Sequence, residues 1–398
     1  MVKRILLLEP IKDGHPIQNI LSLAEAARRH SGVRLTFLVN PAVKEYLSQL
    51  DFRGRAEIEV ISLAEDVVDG LTSNNKQPRK TFSILHAAEE LAMLAGIDHI
   101  HLMTMDLFTL SAPVFLNVRR LHTWSGLLYC PAIHYKKVYR APLTFRKQVI
   151  ERIKHQMVML LLANPQFRLL QVDDLGYAEF VGSPKVQLIP EHSQDVEGET
   201  MPVDLDPKWV GLPNRILCFG ALSRRHGIFE LCEALEQLDM EESGVGIVFA
   251  GNTLEFDRQR FRSALDRLSA RRPNLHVQHL QRYIADTEVK WLFQRCSVVA
   301  MPYQNLVGSS SVLCWAARAR RPVVSQAWGM IGRVVVENGL GVAVDTSDAR
   351  AVAEGLQHAF AGGVFNTAKA QEFIERNSAA NFADTYFDQL EAAAFNCN

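Results

Sequence analysis

Residues 215–235 read RILCFGALSRRHGIFELCEAL. An apolar run over 215–219 stops at Gly220, a short loop carries Arg224, Arg225 and His226, and Gly227 opens an amphipathic helix over about 228–238. The run does not alternate, which is the mark of a strand in a parallel sheet whose two faces are both covered by helices. A helix start offers unpaired N–H donors and partial positive charge, and guanidinium groups beside it add paired contacts to phosphate oxygens. The loop therefore suits an anion. Its plain alternative is a strand-to-helix turn with two solvated arginines.

Working outward, the same strand, loop and helix grammar fills the rest of the chain. Toward the C-terminus it predicts strands over 246–250, 275–279, 297–301, 322–325 and 341–344, with helices near 256–268, 284–295 and 312–319. Toward the N-terminus it predicts strands over 4–8, 33–39, 56–61, 99–103, 114–118, 167–172 and 186–189, with helices over 19–29 and 143–163. Between the two series, residues 190–214 are polar, acidic and proline-containing and read as a linker. The expectation is an α/β chain of two doubly wound parallel-sheet domains, 1–195 and 196–371, facing across a cleft that takes the ligand.

A second motif follows a strand of the later series: VVAMPYQNLVGSSSVLCWAARARRPVVSQAWGMIGRVV, 298–335. Gly308, Ser309, Ser310 and Ser311 stand just before an apolar helix, where backbone and hydroxyl donors converge. Taken alone this is a helix cap. Taken with the arginine loop it supplies a second donor set, which suits a pyrophosphate. Neither loop is GxxxxGK[ST], and residues 6–15 do not form GxGxxG, so kinase and dinucleotide chemistry have little support.

Composition narrows the classes further. At 398 residues the chain is long for one core, and 48% hydrophobic with 22% charged residues is ordinary for a soluble protein. A formal net charge of −1 gives no field for nucleic acid. Cys130, Cys218, Cys232, Cys296, Cys314 and Cys397 form no CxxC pair, so reduced core packing is expected rather than a metal or redox site. The opening MVKRILLLEP holds an apolar run about half the length of a signal peptide or membrane span, and the expected location is the cytoplasm.

FGALSRRHG, then MPYQNLVGSSSVLCWAARARRPVVSQAWG about 80 residues on, then GLGVAVDTSDARAVAEGL, resemble in that order the donor-binding half of the GT-B nucleotide-sugar glycosyltransferases, in particular the retaining family 4 group. The opening LLLEPIKDGHPIQNILSLAEAA resembles that family's acceptor-side loop and first helix. FIERNSAANFADTYFDQL resembles the terminal helix, here 372–395, that returns to the first domain. The resemblance covers essentially the whole chain.

It implies a nucleotide-diphosphate sugar as donor, no cofactor, no metal, and transfer with retention to a hydroxyl on a glycan, lipid-linked or small-molecule acceptor. The donor-binding candidates, from the local motifs and the resemblance together, are Gly220, Arg224, Arg225, His226, Gly227, Tyr303, Gly308, Ser309, Ser310 and Ser311. The sequence also departs from the pattern. Ala221 stands where arginine is usual and His226 where lysine is, Arg333 replaces a frequently acidic residue, and the family's paired glutamates fall on Val307 and Trp315. GSSS resembles a variant of this loop in which serines follow the glycine.

On the acceptor side, Gly14 and His15 lie in the polar loop after the first strand. His101 lies within HIHLMTMD and Asp106 just after it, on the side where strand ends meet the cleft. Ser125 and Gly126, read as a loop after the strand 114–118, resemble the loop flanking the reacting centre in relatives, and His122 and His134 bracket it. Asp106, His101, Ser125 and His15 are the catalytic candidates. YKKVYRAPLTFRKQVIERIKHQ, 135–156, is basic and interleaved with aromatics, which suits peripheral contact with an anionic membrane as well as it suits a solvated helix face. Two other readings stay open: a catalytically silent GT-B binder of sugar nucleotides, and an epimerase or phosphorylase of the same architecture.

Overall fold

The computed structural model describes residues 3–12, 16–29, 32–49, 58–71, 77–118, 121–129, 145–191, 196–241, 244–304, 306 and 308–395. Gly14, His15, His134, Val307 and residues 135–144 of the basic segment lie outside them. The chain forms two compact units: one runs to His192 and resumes at Ala379, and the other spans Ser193–Ser378.

In chain order the first unit holds β1 (Lys3–Glu9), α1 (Pro16–Ala27), β2 (Val33–Val39), α2 (Pro41–Gln49), β3 (Ile58–Ser62), α3 (Glu65–Val68), α4 (Pro78–Ala95), β4 (His99–Leu102), α5 (Met105–Phe108), α6 (Ser111–Leu116), β5 (Thr123–Leu128), α7 (Phe145–Ala163), β6 (Phe167–Val172), α8 (Leu175–Val181) and β7 (Val186–Leu188). The second holds α9 (Lys208–Gly211), β8 (Asn214–Phe219), α10 (Ile228–Glu236), β9 (Val245–Ala250), α11 (Glu255–Arg271), β10 (His276–Leu280), α12 (Asp286–Arg295), β11 (Val298–Met301), α13 (Ser311–Arg318), β12 (Val323–Gln326), α14 (Gly329–Glu337), β13 (Gly341–Val344), α15 (Ala349–Ala361) and α16 (Thr367–Arg376). α17 (Ala379–Phe395) belongs to the first unit again. The sheets run β3-β2-β1-β4-β5-β6-β7 and β10-β9-β8-β11-β12-β13, every neighbouring pair parallel.

Continuous apolar runs become central strands for the reason given above: β9 is buried at all six positions, and β1 buries its last five. Three parts of the sequence reading are corrected. Residues 114–118 are not a strand. They belong to α6 and its end, with Ala112, Phe115 and Leu116 inward and Val114 and Val118 outward, a helical spacing that so short an apolar run conceals. The strand is β5, so Ser125 and Gly126 lie inside the sheet rather than in a loop. The linker's second half is also structural: Leu205 and Trp209 are buried in the second unit, and the indole N–H of Trp209 donates to Gly246 O at 3.3 Å. The expected helix 372–395 is two helices, of which α16 packs Phe373 into the second unit and α17 crosses over.

β5 escapes a pattern search because its buried polar residues satisfy one another. His99 Nδ1 is 2.8 Å from Thr123 Oγ1, and its Nε2 is 2.6 Å from Ser125 Oγ. His101 Nδ1 is 2.7 Å from the same Ser125 Oγ, and its Nε2 is 2.7 Å from the Tyr386 hydroxyl on α17. One direction of donation serves every member: Tyr386 O–H to His101, His101 to Ser125, Ser125 to His99, His99 to Thr123, and Thr123 O–H to Asp98 O at 3.5 Å. The reverse leaves the Tyr386 proton without an acceptor among the described residues. Both rings must be neutral for this chain to exist. Burial, then nearby Arg168, pushes His99 down to about 3, and burial, then His99, holds His101 well below the usual histidine range.

The chain ties α17 to the sheet together with Phe382, Phe387 and Leu390. Tyr386→Phe keeps the ring but strands His101 Nε2 as a buried acceptor, so it is expected to destabilise the first unit by about 1–3 kcal/mol. Urea unfolding followed by a probe in that unit measures this. An unchanged midpoint contradicts the chain.

Candidate functional site

In each sheet the strand order reverses at one place. In the second unit the reversal lies between β8 and β11, since β9 and β10 extend one way and β12 and β13 the other. Ligands of open parallel sheets bind beyond the carboxyl ends of the strands at such a point. The loop after β8 is the arginine loop, and the loop after β11 leads through Tyr303 to the serines. Topology thus brings together the two motifs singled out by sequence.

The two loops touch. Gly227, at φ +70°, starts α10 so close to the β11 loop that an added Cβ would stand 1.8 Å from Pro302 O. Only glycine fits. Gln304 N donates to Arg225 O at 2.8 Å, and the His226 and Tyr303 rings meet edge-on at 5.2 Å. The Tyr303 hydroxyl is 3.2 Å from Ser310 Oγ, which links the arginine loop to the start of α13. Asp257 on α11 accepts from Arg224 N at 2.8 Å and fixes the loop from below. The Arg224 and Arg225 side chains remain exposed.

Neither α10 nor α13 has a side-chain cap, because Gly227 has none to give and the Ser310 side chain makes no capping bond. Both helices thus start without a side-chain cap, although Leu313 N in the first turn of α13 donates to Ser310 O at 3.0 Å. His226 adds no charge. Burial, then the neighbouring Arg225, pushes it down to about 4, and its Nδ1 lies 2.8 Å from Ser223 Oγ. Gly308 takes φ +96°, and Ser309, Ser310 and Ser311 are half-buried. Trp315 faces elsewhere: it leans on Phe293 at 6.1 Å between ring centres and lines a pocket of about 460 Å³ with Arg318 and Ile374. That pocket contains none of the arginine-loop or serine residues.

Two residues at this edge carried no recognisable sequence signal. The fully buried Gln326 amide binds Leu306 N and O and Trp328 O, tying the loops after β11 and β12. Thr346 Oγ1 donates to Tyr303 O at 2.6 Å, and Gln304 Nε2 donates to Thr346 O at 2.7 Å, which adds the loop after β13.

In the first unit the reversal lies between β1 and β4. Asp106, on α5 just past β4, is near this point, and its Oδ2 accepts from Tyr129 N at 2.8 Å. His101 and Ser125 are inside the sheet with no exposed surface and with their polar atoms engaged in the chain described above. Gly126 makes room for Met105, whose side chain would lie 3.1 Å from an added Cβ. His122 precedes β5 and so sits at the opposite, amino-terminal edge, 3.2 Å from Glu89. The residue that sequence reading missed is Glu9. It ends β1 with 1% exposure, accepts from Thr104 Oγ1 at 2.5 Å and Ile11 N at 2.9 Å, and burial raises it to about 7 against those bonds.

Among the described residues no group of three or more His, Cys, Asp or Glu is placed to hold a metal ion. Cys218, Cys232, Cys296 and Cys314 are free and buried, and burial pushes Cys218 and Cys296 up to about 12.

Residues 207–379, within the second unit but for the last residue, match the family model described as Glycosyl transferases group 1. No curated protein sequence matches the chain. Sucrose-phosphate synthase from Thermosynechococcus elongatus superposes with a TM-score of 0.70 at 17% identity, covering 98% of this chain and 100% of that one. A glycosyltransferase from Rickettsia africae ESF-5 gives 0.68 at 14% identity, with 99% of each chain covered. HepE from Anabaena, solved in complex with UDP, gives 0.65 at 16%, covering 98% and 100%. These likenesses establish the fold as two parallel-sheet α/β domains of the GT-B kind.

Glu9 offers a test with a defined sign. Its folded value lies above the ordinary 4.5, so its contribution favours folding below about 4.5 and is lost as pH rises through about 7. Glu9→Gln removes this titration. The variant is expected to gain stability over the natural protein between pH 4.5 and 7, by roughly 3 kcal/mol in total. Urea midpoints of both proteins at pH 5 and pH 8 give the difference, and a constant offset contradicts it.

Proposed function

We propose that the protein is a glycosyltransferase that takes a sugar from a nucleotide-diphosphate donor and passes it to a hydroxyl acceptor. The observation that carries this reading is the meeting of the arginine and serine loops, with two uncapped helix starts, at the strand-order reversal of the unit that matches the group 1 family. In this reading Arg224 and Arg225 receive the diphosphate. The first-turn N–H groups after Gly227 and at Ser311 stabilise the charge that grows on it as the glycosidic bond breaks. Fixed positive charge at the leaving group, rather than a protein nucleophile, supplies the main catalytic effect. Retention of configuration and independence of metal belong to the same proposal. The first unit holds the acceptor near its own reversal, where Asp106 lies.

A second reading has one observation in its favour. Where the resemblance expects a ribose-gripping carboxylate, Trp315 packs against Phe293, and His226 is neutral where a lysine is usual. A silent binder would take up the nucleotide without turnover.

Contact with an anionic membrane finds support in α7. Phe145, Val149, Ile153 and Leu160 follow at i, i+4, i+8 and i+15 and all point outward, with Arg146 and Arg152 also exposed. No helix among the described residues is long and apolar enough to cross a membrane. Replacing Val149 and Ile153 by serine is expected to reduce co-sedimentation with vesicles rich in phosphatidylserine several-fold. Equal sedimentation of the two proteins would remove this part of the reading.

The donor assignment is tested by replacing Arg224 and Arg225 together with alanine. Nucleotide-diphosphate affinity, measured by calorimetry with UDP, GDP, ADP and TDP, is expected to fall at least tenfold for whichever base binds, with the unfolding transition unchanged, as removal of about 1.4 kcal/mol or more of charge-assisted contact requires. Unaltered affinity would sink the assignment.

A further inference from the structure

The pocket of about 460 Å³ beside Trp315 is lined by residues of the second unit alone and takes no part in the donor reading. Two helices give it matching walls. α12 presents Lys290, Phe293 and Gln294 at i, i+3 and i+4, and α13 with the residue after it presents Trp315, Arg318 and Ala319 at the same spacing. Ile374 on α16 adds a third side. The Trp315 and Phe293 rings lie 6.1 Å apart between centres and are tilted by 34°. A flat or short apolar group entering here meets aromatic and aliphatic surface on several sides.

The polar groups on the same walls are mostly donors. Lys290 Nζ donates to Val196 O at 2.6 Å, which engages one of the protons of its ammonium group, and it meets no carboxylate among the described residues. The Trp315 indole N–H has no acceptor among the described residues. Arg318 adds a guanidinium to the wall, and Arg321 stands behind it, donating to Gln294 O. Glu375 is the one acid among the lining residues. It is exposed and already accepts from Gln371 Nε2 at 3.0 Å. Positive charge therefore outweighs negative beside an apolar surface, where an ion pair is screened less than in open water.

We propose that this pocket binds a small organic anion, with its carboxylate or phosphate on Lys290 and Arg318 and its ring or short alkyl body against Trp315, Phe293 and Ile374. The site is separate from the arginine and serine loops and stands whether or not the donor reading holds. Both halves of the ligand are needed. A neutral molecule of the same shape leaves Lys290 without a counter-charge, and an organic cation meets like charge. An inorganic anion forgoes the apolar walls.

Binding to the full chain is measured by calorimetry and by ligand-observed nuclear magnetic resonance. The probes 2-naphthoate and 2-naphthyl phosphate carry the two headgroups on one ring system, 2-naphthylmethanol and 2-naphthylmethylamine carry the ring with no charge or the opposite charge, and acetate and inorganic phosphate are the headgroups alone. One or both naphthyl anions are expected to bind at least tenfold more tightly than the other four probes, and the tighter of the two identifies the headgroup. Lys290→Gln is expected to weaken that anion about tenfold and Lys290→Arg to preserve it, with the urea midpoint unchanged in both. Replacing Arg224 and Arg225 by alanine is expected to leave it unaltered, since the arginine loop lies outside the pocket. Equal binding of 2-naphthylmethanol, full affinity in Lys290→Gln, loss of binding in the arginine-loop variant, or binding of neither anion overturns the assignment. The comparison among probes needs no variant.

Discussion

A carbonyl oxygen occupies the space that a side chain at position 227 would need. That contact, Gly227 against Pro302, lets the start of α10 lie directly on the loop that leaves β11. The rest of the second unit's carboxyl edge follows from it. With the loops in contact, His226 can pack on Tyr303, Arg225 O can accept from Gln304, and Tyr303 can reach Ser310. Gln326 and Thr346 then extend the same hydrogen-bonded surface to the loops after β12 and β13. A charged ligand placed there meets donors already held in position, so little reorganisation is needed when charge develops.

The two units share one topological plan and diverge in what they place at its focal point. In each, a parallel sheet reverses order between two central strands, which opens a crevice at their carboxyl ends. The second unit fills the rim with arginines and free helix starts. The first places the carboxylates of Glu9 and Asp106 and the phenol of Tyr129 there. A repeated topology supplies such a contrast through its loops while leaving both cores intact.

How much of this was legible depended on how each residue is satisfied. All six strands expected in the second unit begin and end within one residue of their observed bounds, mostly because they are short apolar runs; β10, with His276, Gln278 and His279, is the exception in composition. The arginine and serine loops were visible for the same reason: glycine and polar residues break an apolar run sharply. β5 was hidden because Thr123 and Ser125 break its apolar pattern, and their partners His99 and His101 lie some 24 residues earlier. α4 was missed although Pro78 at its start and the left-handed Gly96 at its end are ordinary boundary signals. Glu9 falls just past the strand read over 4–8, at the start of the polar loop. Only the approach of Thr104 from β4, 95 positions away, shows that its carboxyl is enclosed.

The crossover of α17 also sets an order of assembly. The first unit's core includes Phe382, Ala383, Tyr386, Phe387 and Leu390, packed against strands near the beginning of the chain. A ribosome therefore delivers every residue of the second unit before it delivers the helix that completes the first. Until then the earlier unit lacks the helix that packs on α1, β5 and β6, and His101 Nε2 and Gln171 Nε2 lack their α17 partners, while the later unit can close on its own residues. The first unit is thus finished only when α17 emerges, and loss of that helix would leave it unfinished while the second unit is complete.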